Sequence, residues 1–184
     1  MKTNSLIGFV VPSLLALRLV AAESIDPALL QGKLDAKLKD IHSWAANSVI
    51  VDAVKAQNAK LPPEYAAMTQ EKWESASILD PFVRAFTKNA AAEFLKSKKG
   101  DLVVEAFLSA ADGLKVAFLS KTSNWNHKGK PKHDVPMAGK MWQGPLEVDE
   151  SSGIKQIQIA VPVSDGDKPI GSLVVGISVT KLSR

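Results

Sequence analysis

The feature that most constrains the fold is a series of alternating apolar segments in the second half of the chain. Segments 102–110 and 114–122 flank Asp112-Gly113, a dipeptide that favours a tight hairpin turn. Two later segments each have one apolar face, formed by Ile157, Ile159, Val161 and Val163 and by Leu173, Val175, Ile177 and Val179. Opposite the second apolar face lie small residues that leave room for a helix or a ligand: Ser172, Gly176 and Ser178. With segment 145–150, these patterns predict five strands joined by tight turns in a meandering antiparallel sheet.

The first half of the chain has the periodicity of helices. After Asp26-Pro27, apolar residues recur every three or four positions up to about Lys60: Leu30, Leu34, Leu38, Ile41, Ala45 and Val49. A helix of about 30 residues is about 45 Å long. A short helical segment at 65–77 follows, and a second helix begins after Asp80-Pro81 with Phe82, Phe86, Ala90 and Phe94 on one face. The prediction is an α+β fold in which a long N-terminal helix, 27–60, and a second helix cover one side of the five-stranded antiparallel sheet.

Composition excludes several classes of function. The 184 residues, 46% of them hydrophobic, suffice for one domain with its own core, predicted to span 23–184. The formal net charge of +4 is small and evenly spread, which argues against a nucleic-acid partner. Cysteine is absent, so disulfides, thiol nucleophiles and thiolate metal sites are excluded.

Residues 1–22 have the pattern of a signal peptide. A basic residue precedes an apolar run, and Ala21 and Ala22 supply the small residues of a cleavage site. Cleavage there would leave an exported, periplasmic protein. The alternative is a retained membrane anchor, but Pro12 and Arg18 interrupt the run, which is shorter than the roughly 20 residues that cross a bilayer.

Segment 123–142, SNWNHKGKPKHDVPMAGKMW, gathers many of the chemically capable side chains. Its prolines and glycines predict an irregular loop. Three interpretations are open: a metal or haem site, the lid of a small-ligand pocket, and a surface loop. Trp125 and Trp142 would be walls for an apolar or planar ligand, or would pin the loop to the core. Ser120 and Thr122 would add hydroxyl groups to a pocket, or face solvent as ordinary strand residues.

The imidazole, thioether and ammonium groups of this loop are candidates for binding a metal or an anion. His127, His133 and Met137 could gather copper or haem iron, but their spacing specifies no metal and we expect none. Lys132 and the lysines at 128 and 130 would be counter-ions for a ligand carboxylate, or solvated charges that keep the loop soluble.

The sequence holds none of the common catalytic motifs. A nucleophile elbow, a zinc-protease helix motif and a phosphate-binding glycine loop are absent. Asp165-Gly166-Asp167 lacks the remaining ligands of a calcium loop and predicts a strand turn. We therefore expect a binding protein that needs no cofactor, and not an enzyme.

Two stretches resemble a known family. They are 107–125, FLSAADGLKVAFLSKTSNW, and 142–182, WQGPLEVDESSGIKQIQIAVPVSDGDKPIGSLVVGISVTKL. The second contains, in order, a D-x-S-x-G turn, a strand that ends in Val-Pro-Val and a glycine-flanked last strand. Both resemble the extracytoplasmic PAS-like sensor domain called Cache or PDC. The resemblance implies a PAS-like sheet against a long helix, and a periplasmic sensor that binds a small molecule beneath the loop between its second and third strands.

The resemblance implies a partner and leaves the ligand open. Members of the family usually lie between two membrane helices of a receptor or kinase. Since this chain ends directly after its last strand, we expect it to act with a separate, membrane-bound receptor or kinase. The aromatic–arginine motif of the amino-acid-binding members is not found, so the ligand class does not follow from the resemblance.

Two hypotheses result. In the first, the chain is a sensory domain that binds a small organic molecule, such as a carboxylate, mainly through Trp125, His133 and Trp142. The further contacts would be Ser120, Thr122, His127, Lys132 and Met137. In the second, the chain is an interaction protein that docks on a receptor or forms a homodimer through helix 27–60, and the loop is structural.

Overall fold

The computed structural model describes residues 27–148 and 153–182. The predicted signal peptide 1–22, the helix start at Asp26 and residues 149–152 of the predicted D-x-S-x-G turn lie outside the described residues. Among the helices of the described ranges, none is both long enough and apolar enough to cross a membrane.

The helix predicted over 27–60 is wrong as a single element, because it is two helices, α1 (Pro27–Ala45) and α2 (Ser48–Ala59). The break lies at Asn47, which has an extended backbone and whose side-chain oxygen accepts a hydrogen bond from the Val49 N–H at 3.0 Å. Asparagine competes with the helix for backbone hydrogen bonds and therefore favours helix starts over helix interiors.

The break changes which residues face the core. Val49, predicted to lie on the apolar stripe, is 38% exposed, whereas Ile50 and Val54 of α2 are fully buried. The stripe is correct in α1, where Leu34 and Ile41 are buried. The buried residues of α1 and α2 thus belong to one continuous hydrophobic cluster, although the two helices are separate.

Replacing Asn47 by alanine is expected to lower the free energy of unfolding by about 1 kcal/mol, because the start of α2 loses its side-chain acceptor. Asn47→Asp keeps an acceptor at the same position and should remain close to the wild type. Urea denaturation of the three proteins measures the difference. An equal decrease in the free energy of unfolding of both variants would show that the side-chain hydrogen bond of Asn47 does not stabilise the protein.

Four shorter helices follow, α3 (Pro63–Ala66), α4 (Gln70–Ser75), α5 (Pro81–Ala85) and α6 (Ala90–Lys98). As predicted, Asp80 begins a helix, and its carboxylate accepts a hydrogen bond from the Phe82 N–H at 2.8 Å. The second predicted helix is nevertheless wrong as one element, since Asn89 caps a new helix by accepting from the Ala92 N–H at 2.9 Å. Phe82 and Phe94, predicted on one face, consequently pack into different hydrophobic clusters.

Five strands form one antiparallel sheet: β1 (Val103–Ala110), β2 (Lys115–Phe118), β3 (Trp142–Val148), β4 (Lys155–Asp165) and β5 (Lys168–Ser178). The predicted pairings of β1 with β2 and of β4 with β5 are present. The predicted meander is wrong, because the order is β2-β1-β5-β4-β3. Strands β2 and β3 follow each other in the chain but form opposite edges. The crossing segment, 119–141, must therefore traverse one face of the sheet from edge to edge.

The crossing segment is less irregular than predicted, since it contains helix α7 (Pro131–Met137). Pro131 stands at the first helical position, where its missing N–H costs nothing. Gly139 ends the helix with a φ of 77°, and the Lys140 N–H donates to the Val135 carbonyl at 3.2 Å. This is the usual glycine-based helix end. The prolines and glycines that predicted an irregular loop thus mark the start and the end of a short helix.

Helices cover both faces of the sheet, and not one face as predicted. On the first face, the predicted apolar residues are buried against α1, α2 and α6: Ile157, Ile159, Val161, Val163, Leu173, Val175 and Ile177. Val179 is also buried but belongs to a short last helix, α8 (Val179–Leu182). The second face carries α7 and an aromatic cluster contributed by the segment 65–86 and the crossing segment. The predicted α+β fold, helices on a five-stranded antiparallel sheet, is confirmed.

Candidate functional site

The first part of the crossing segment is held in place by α4. Trp73 Nε1 donates to the Thr122 carbonyl at 2.7 Å, and Gln70 Nε2 donates to the Ser123 carbonyl at 2.9 Å. Gln70 Oε1 accepts from the Trp125 N–H at 2.9 Å. These bonds satisfy backbone groups outside regular secondary structure and fix the conformation of the loop.

Trp125 lies in an aromatic cluster on the second face. It is 4% exposed, and its ring centroid lies 5.0 Å from that of Trp73, 5.3 Å from that of Tyr65 and 5.7 Å from that of Phe82. Aromatic pairs at these separations stabilise a core beyond their buried area. The structure therefore shows Trp125 pinning the loop to the core, and its contact with a ligand stays a prediction.

Beside this loop, a cleft of about 270 Å³ opens on the second face of the sheet. Its walls come from β1, β3, β4, the loop and α7, and they consist of Glu105, Thr122, Ser123, Asn124, His127, Lys132, Glu147, Val148 and Gln158. Three of the predicted contact residues, Thr122, His127 and Lys132, line it. The cleft is thus predominantly polar, and it combines groups from five parts of the chain.

A chain of hydrogen bonds runs along the floor of the cleft. Lys132 Nζ donates to Gln158 Oε1 at 2.6 Å, and Gln158 Nε2 donates to Glu105 Oε2 at 2.6 Å. Gln156 Nε2 lies 3.5 Å from Glu105 Oε2 and 3.3 Å from Glu147 Oε1. Because the buried amide of Gln158 stands between them, the ammonium of Lys132 and the carboxylate of Glu105 are held apart at fixed positions.

Lys115 lies behind His127, fully buried on β2. Its Nζ atom is hydrogen-bonded to Nδ1 of the His127 ring. Both groups rest on Phe107: the His127 ring stacks on it at 4.5 Å, and the Lys115 Nζ lies 5.0 Å from its centroid.

Burial shifts both of these groups towards their neutral forms. It lowers the pKa of His127 from its ordinary 6.5 to about 2, and the positive charge of Lys115 adds to the effect. Burial also holds the pKa of Lys115 well below the ordinary range of a lysine; the negative charge of Glu105 opposes this shift, and the positive charge of Lys132 reinforces it.

His133 fixes α7 on the sheet. It is 1% exposed, its Nδ1 lies 2.8 Å from the Ser172 hydroxyl of β5, and the ring also bonds the backbone of Ala111. Burial lowers its pKa, while the Ala111 carbonyl and the Asp134 carboxylate oppose the shift. The room left by the small residue Ser172 is therefore used by His133.

The remaining predicted contacts lie outside the cleft. Ser120 is exposed, Trp142 is half-buried with its ring against Gly144, and Met137 lines a separate hollow of about 450 Å³ together with Gln57. His127, His133 and Met137 thus have different surroundings. Within the described ranges, no three His, Asp or Glu side chains are grouped closely enough to hold a metal ion. The roles of the eight predicted residues in ligand contact stay predictions.

Sequence reasoning missed several residues of the site, including Glu105, Glu147 and Gln158 in the walls of the cleft and Lys115 behind them. A signal existed for Gln158. It alternates with Ile157 and Ile159 along the strand, so its uncharged amide lies on the opposite face of the sheet, which also carries Ser172. No local signal exists for Lys115, because a lysine that directly follows a hairpin turn is normally solvated. Only the crossing of 119–141 over the sheet buries it.

No family model and no curated protein matches the chain. Among solved structures, it is similar to the sensor domain of the Vibrio cholerae histidine kinase DctB, with 17% identity and a TM-score of 0.46 over 84% of this chain and 58% of that one. It is also similar to the ligand-binding domain of the Pseudomonas aeruginosa PAO1 amino-acid chemoreceptor PctC in complex with GABA, with 12% identity and a TM-score of 0.45 over 84% and 57% of the two chains.

The sensory domain of the Campylobacter jejuni chemoreceptor Tlp3 with bound isoleucine is a third such structure, with 15% identity and a TM-score of 0.42 over 87% of this chain and 68% of that one. The chain thus spans 58% and 57% of the length of the first two. All three are sensor or ligand-binding domains.

Proposed function

We propose that this chain is an exported sensory domain that binds a small, carboxylate-bearing molecule in the cleft and acts, without catalysis, with a separate membrane-bound signalling partner. The observation that carries the proposal is the hydrogen-bonded chain from Lys132 through Gln158 to Glu105. A helix and two strands converge there to hold charged groups at the floor of an open cleft.

Lys132 is the group best placed to meet a carboxylate. Its hydrogen-bond partner is a neutral amide, and it forms no ion pair with a residue of the described ranges. An ammonium group whose charge is not offset by a neighbour attracts an anion, and a hydrogen bond between two charged groups is stronger than one between neutral groups.

The rest of the wall is preformed. The bonds from Trp73 and Gln70 fix the loop at Thr122 and Ser123, and the Thr122 hydroxyl donates to the Asn124 carbonyl at 2.8 Å. A site whose polar groups are already ordered loses less conformational entropy when a ligand binds. A small molecule can therefore bind here with few contacts.

We expect small carboxylates to stabilise the protein in a thermal-shift screen, by about 2.7 kcal/mol at one hundred times the dissociation constant. Lys132→Gln should weaken this binding about ten- to hundredfold, because a charged hydrogen bond is lost. Lys128→Gln removes the same charge at an exposed position of the same segment and should bind as the wild type does. Amino acids, purines and pyrimidines complete the panel, with copper, zinc and haem in separate wells.

The control decides where a ligand sits. Equal binding by the Lys132 and Lys128 variants would place the ligand outside the cleft. Stabilisation by a metal or haem alone would favour the metal interpretation of the crossing segment. No stabilisation by any compound would favour the interaction protein that docks through α1 and α2.

A further inference from the structure

The buried pair of Lys115 and His127 has no part in the contacts proposed so far. The Lys115 amine is surrounded by the imidazole of His127 and the ring of Phe107, and within the described ranges it forms no ion pair. His127 separates it from the cleft, because His127 itself lines the wall. A charge on Lys115 would therefore lie just behind the surface that a ligand meets.

A second buried polar residue, Ser109, lies on the strand next to Lys115. Ser109 occupies the position of β1 that pairs with Lys115 across the two strands, on the same face of the sheet. It is 0% exposed, and its hydroxyl has no hydrogen-bond partner among the described residues. A buried polar atom without a partner is costly. The strand position that pairs with Lys115 is thus filled by a second buried polar group and not by an apolar side chain.

Charged and titratable groups on α7 and on β1 determine whether the Lys115–His127 pair holds an extra proton. Lys132 on α7 contributes positive charge at both Lys115 and His127, and Lys130, which directly precedes α7, and His133 on α7 contribute positive charge at His127. Glu105 on β1 contributes negative charge. Burial and the charge of Lys132 disfavour the ammonium form of Lys115, and the charge of Glu105 favours it.

We propose that the cleft takes up its anion together with a proton, which is held by the Lys115–His127 pair. The inference rests on the proposed function, since it concerns the same cleft and the same anion. It makes Lys115 a specificity-determining residue that the ligand does not touch: it favours ligands with a negative charge over neutral ligands of the same shape.

The direction of the effect follows from linkage. An anion between Lys132 and His127 offsets the positive charge of Lys132 and adds a negative charge near Lys115, which raises the pKa of Lys115. A group whose pKa rises on binding takes up a proton when the pH lies between its free and bound values. In that window the dissociation constant falls by about tenfold for each unit by which the pH is lowered.

Isothermal calorimetry with propionate and malonate on the full chain tests this inference. Titrations at one pH in Tris and in triethanolamine, whose buffer ions are cations and do not compete for an anion site, give the number of protons exchanged. We expect uptake of up to about one proton per anion in the wild type. Lys115→Met should bind without proton uptake, and Lys128→Met should behave as the wild type.

The outcomes separate this inference from the proposed function. Anion binding with equal heats in both buffers and a dissociation constant that stays the same from about pH 6 to about pH 9 would overturn the proton uptake and leave the proposed function intact. Binding of an uncharged compound of the screen, with none of either anion, would overturn the proton uptake and the carboxylate ligand, and would leave only the binding of a small molecule. No binding of any compound would overturn both. If Lys115→Met does not fold, the pH series of the wild type still decides the question.

Discussion

Replacing Trp73 by alanine is expected to lower the free energy of unfolding by about 3–5 kcal/mol. The ring is fully buried, with its centroid 5.0 Å from that of Trp125, 5.9 Å from that of Phe118 and 6.1 Å from that of Phe86. The substitution removes this packing and also the Nε1–H donor to the Thr122 carbonyl. For a domain of this size the melting temperature should fall by about 10 °C, measurable by circular dichroism.

Two matched variants divide this loss into its parts. Trp73→Phe keeps an aromatic ring but leaves the Thr122 carbonyl without its donor, so a cost of about 1–3 kcal/mol is expected. Trp142→Ala removes the same side-chain type at a half-buried site and should cost clearly less than Trp73→Ala. A loss in Trp142→Ala as large as in Trp73→Ala would mean that burial in the aromatic cluster is not the cause.

The same substitution reaches the cleft, because Trp73 holds the loop that forms one of its walls. Without the bond to Thr122, the loop has to become ordered when a ligand binds. The free-energy cost of this ordering weakens the binding. Trp73→Ala should therefore weaken carboxylate binding even below its lowered melting temperature. Trp73 contacts the loop but does not line the cleft. A search of the sequence for residues that contact a ligand therefore does not identify it.

Local patterns predicted those parts of the fold that depend on neighbours in the chain. The alternation of Ile157 and Ile159 with two glutamines identified β4 and the face that it buries, because side chains alternate strictly along a strand. Asp80 identified a helix start because its side chain bonds the N–H two residues on. Asn47 and Asn89 are the same kind of cap, but they lie within apolar periodicities that conceal the break.

The order of the strands depends on contacts between distant residues, and no local pattern determines it. Placing β5 between β1 and β4 sends the chain after β2 across the sheet to its opposite edge. Two features of the cleft that the sequence missed follow from this crossing. It buries Lys115 under His127 and brings Lys132 to Gln158, residues 26 positions apart. His127 and Lys132 were predicted because they belong to the segment 123–142, and Thr122 was predicted as a residue of the strand that precedes it.

Lowering the pH from about 7.5 to about 5 is expected to decrease the free energy of unfolding by about 2 kcal/mol through His127 alone. Its pKa is about 2 in the folded protein, against 6.5 for an ordinary histidine. Below pH 6.5 the unfolded chain takes up a proton that the folded protein excludes. The stability contributed by the neutral ring is thus present above pH 6.5 and is lost as the pH falls. Urea denaturation at several pH values measures the slope.

Variants separate this acid effect from that of Lys115. His127→Gln retains a neutral acceptor beside Lys115 and should flatten the slope below pH 6.5, whereas His42→Gln, at an exposed position of α1, should leave it unchanged. The pKa of Lys115 is also lowered on folding, from an ordinary 10.5, so its contribution is lost as the pH falls from that value towards its folded pKa. Lys115→Met should therefore flatten the alkaline side of the stability curve. If His127→Gln loses stability with acid as steeply as the wild type, the neutral imidazole is not the buried group that makes the fold sensitive to pH.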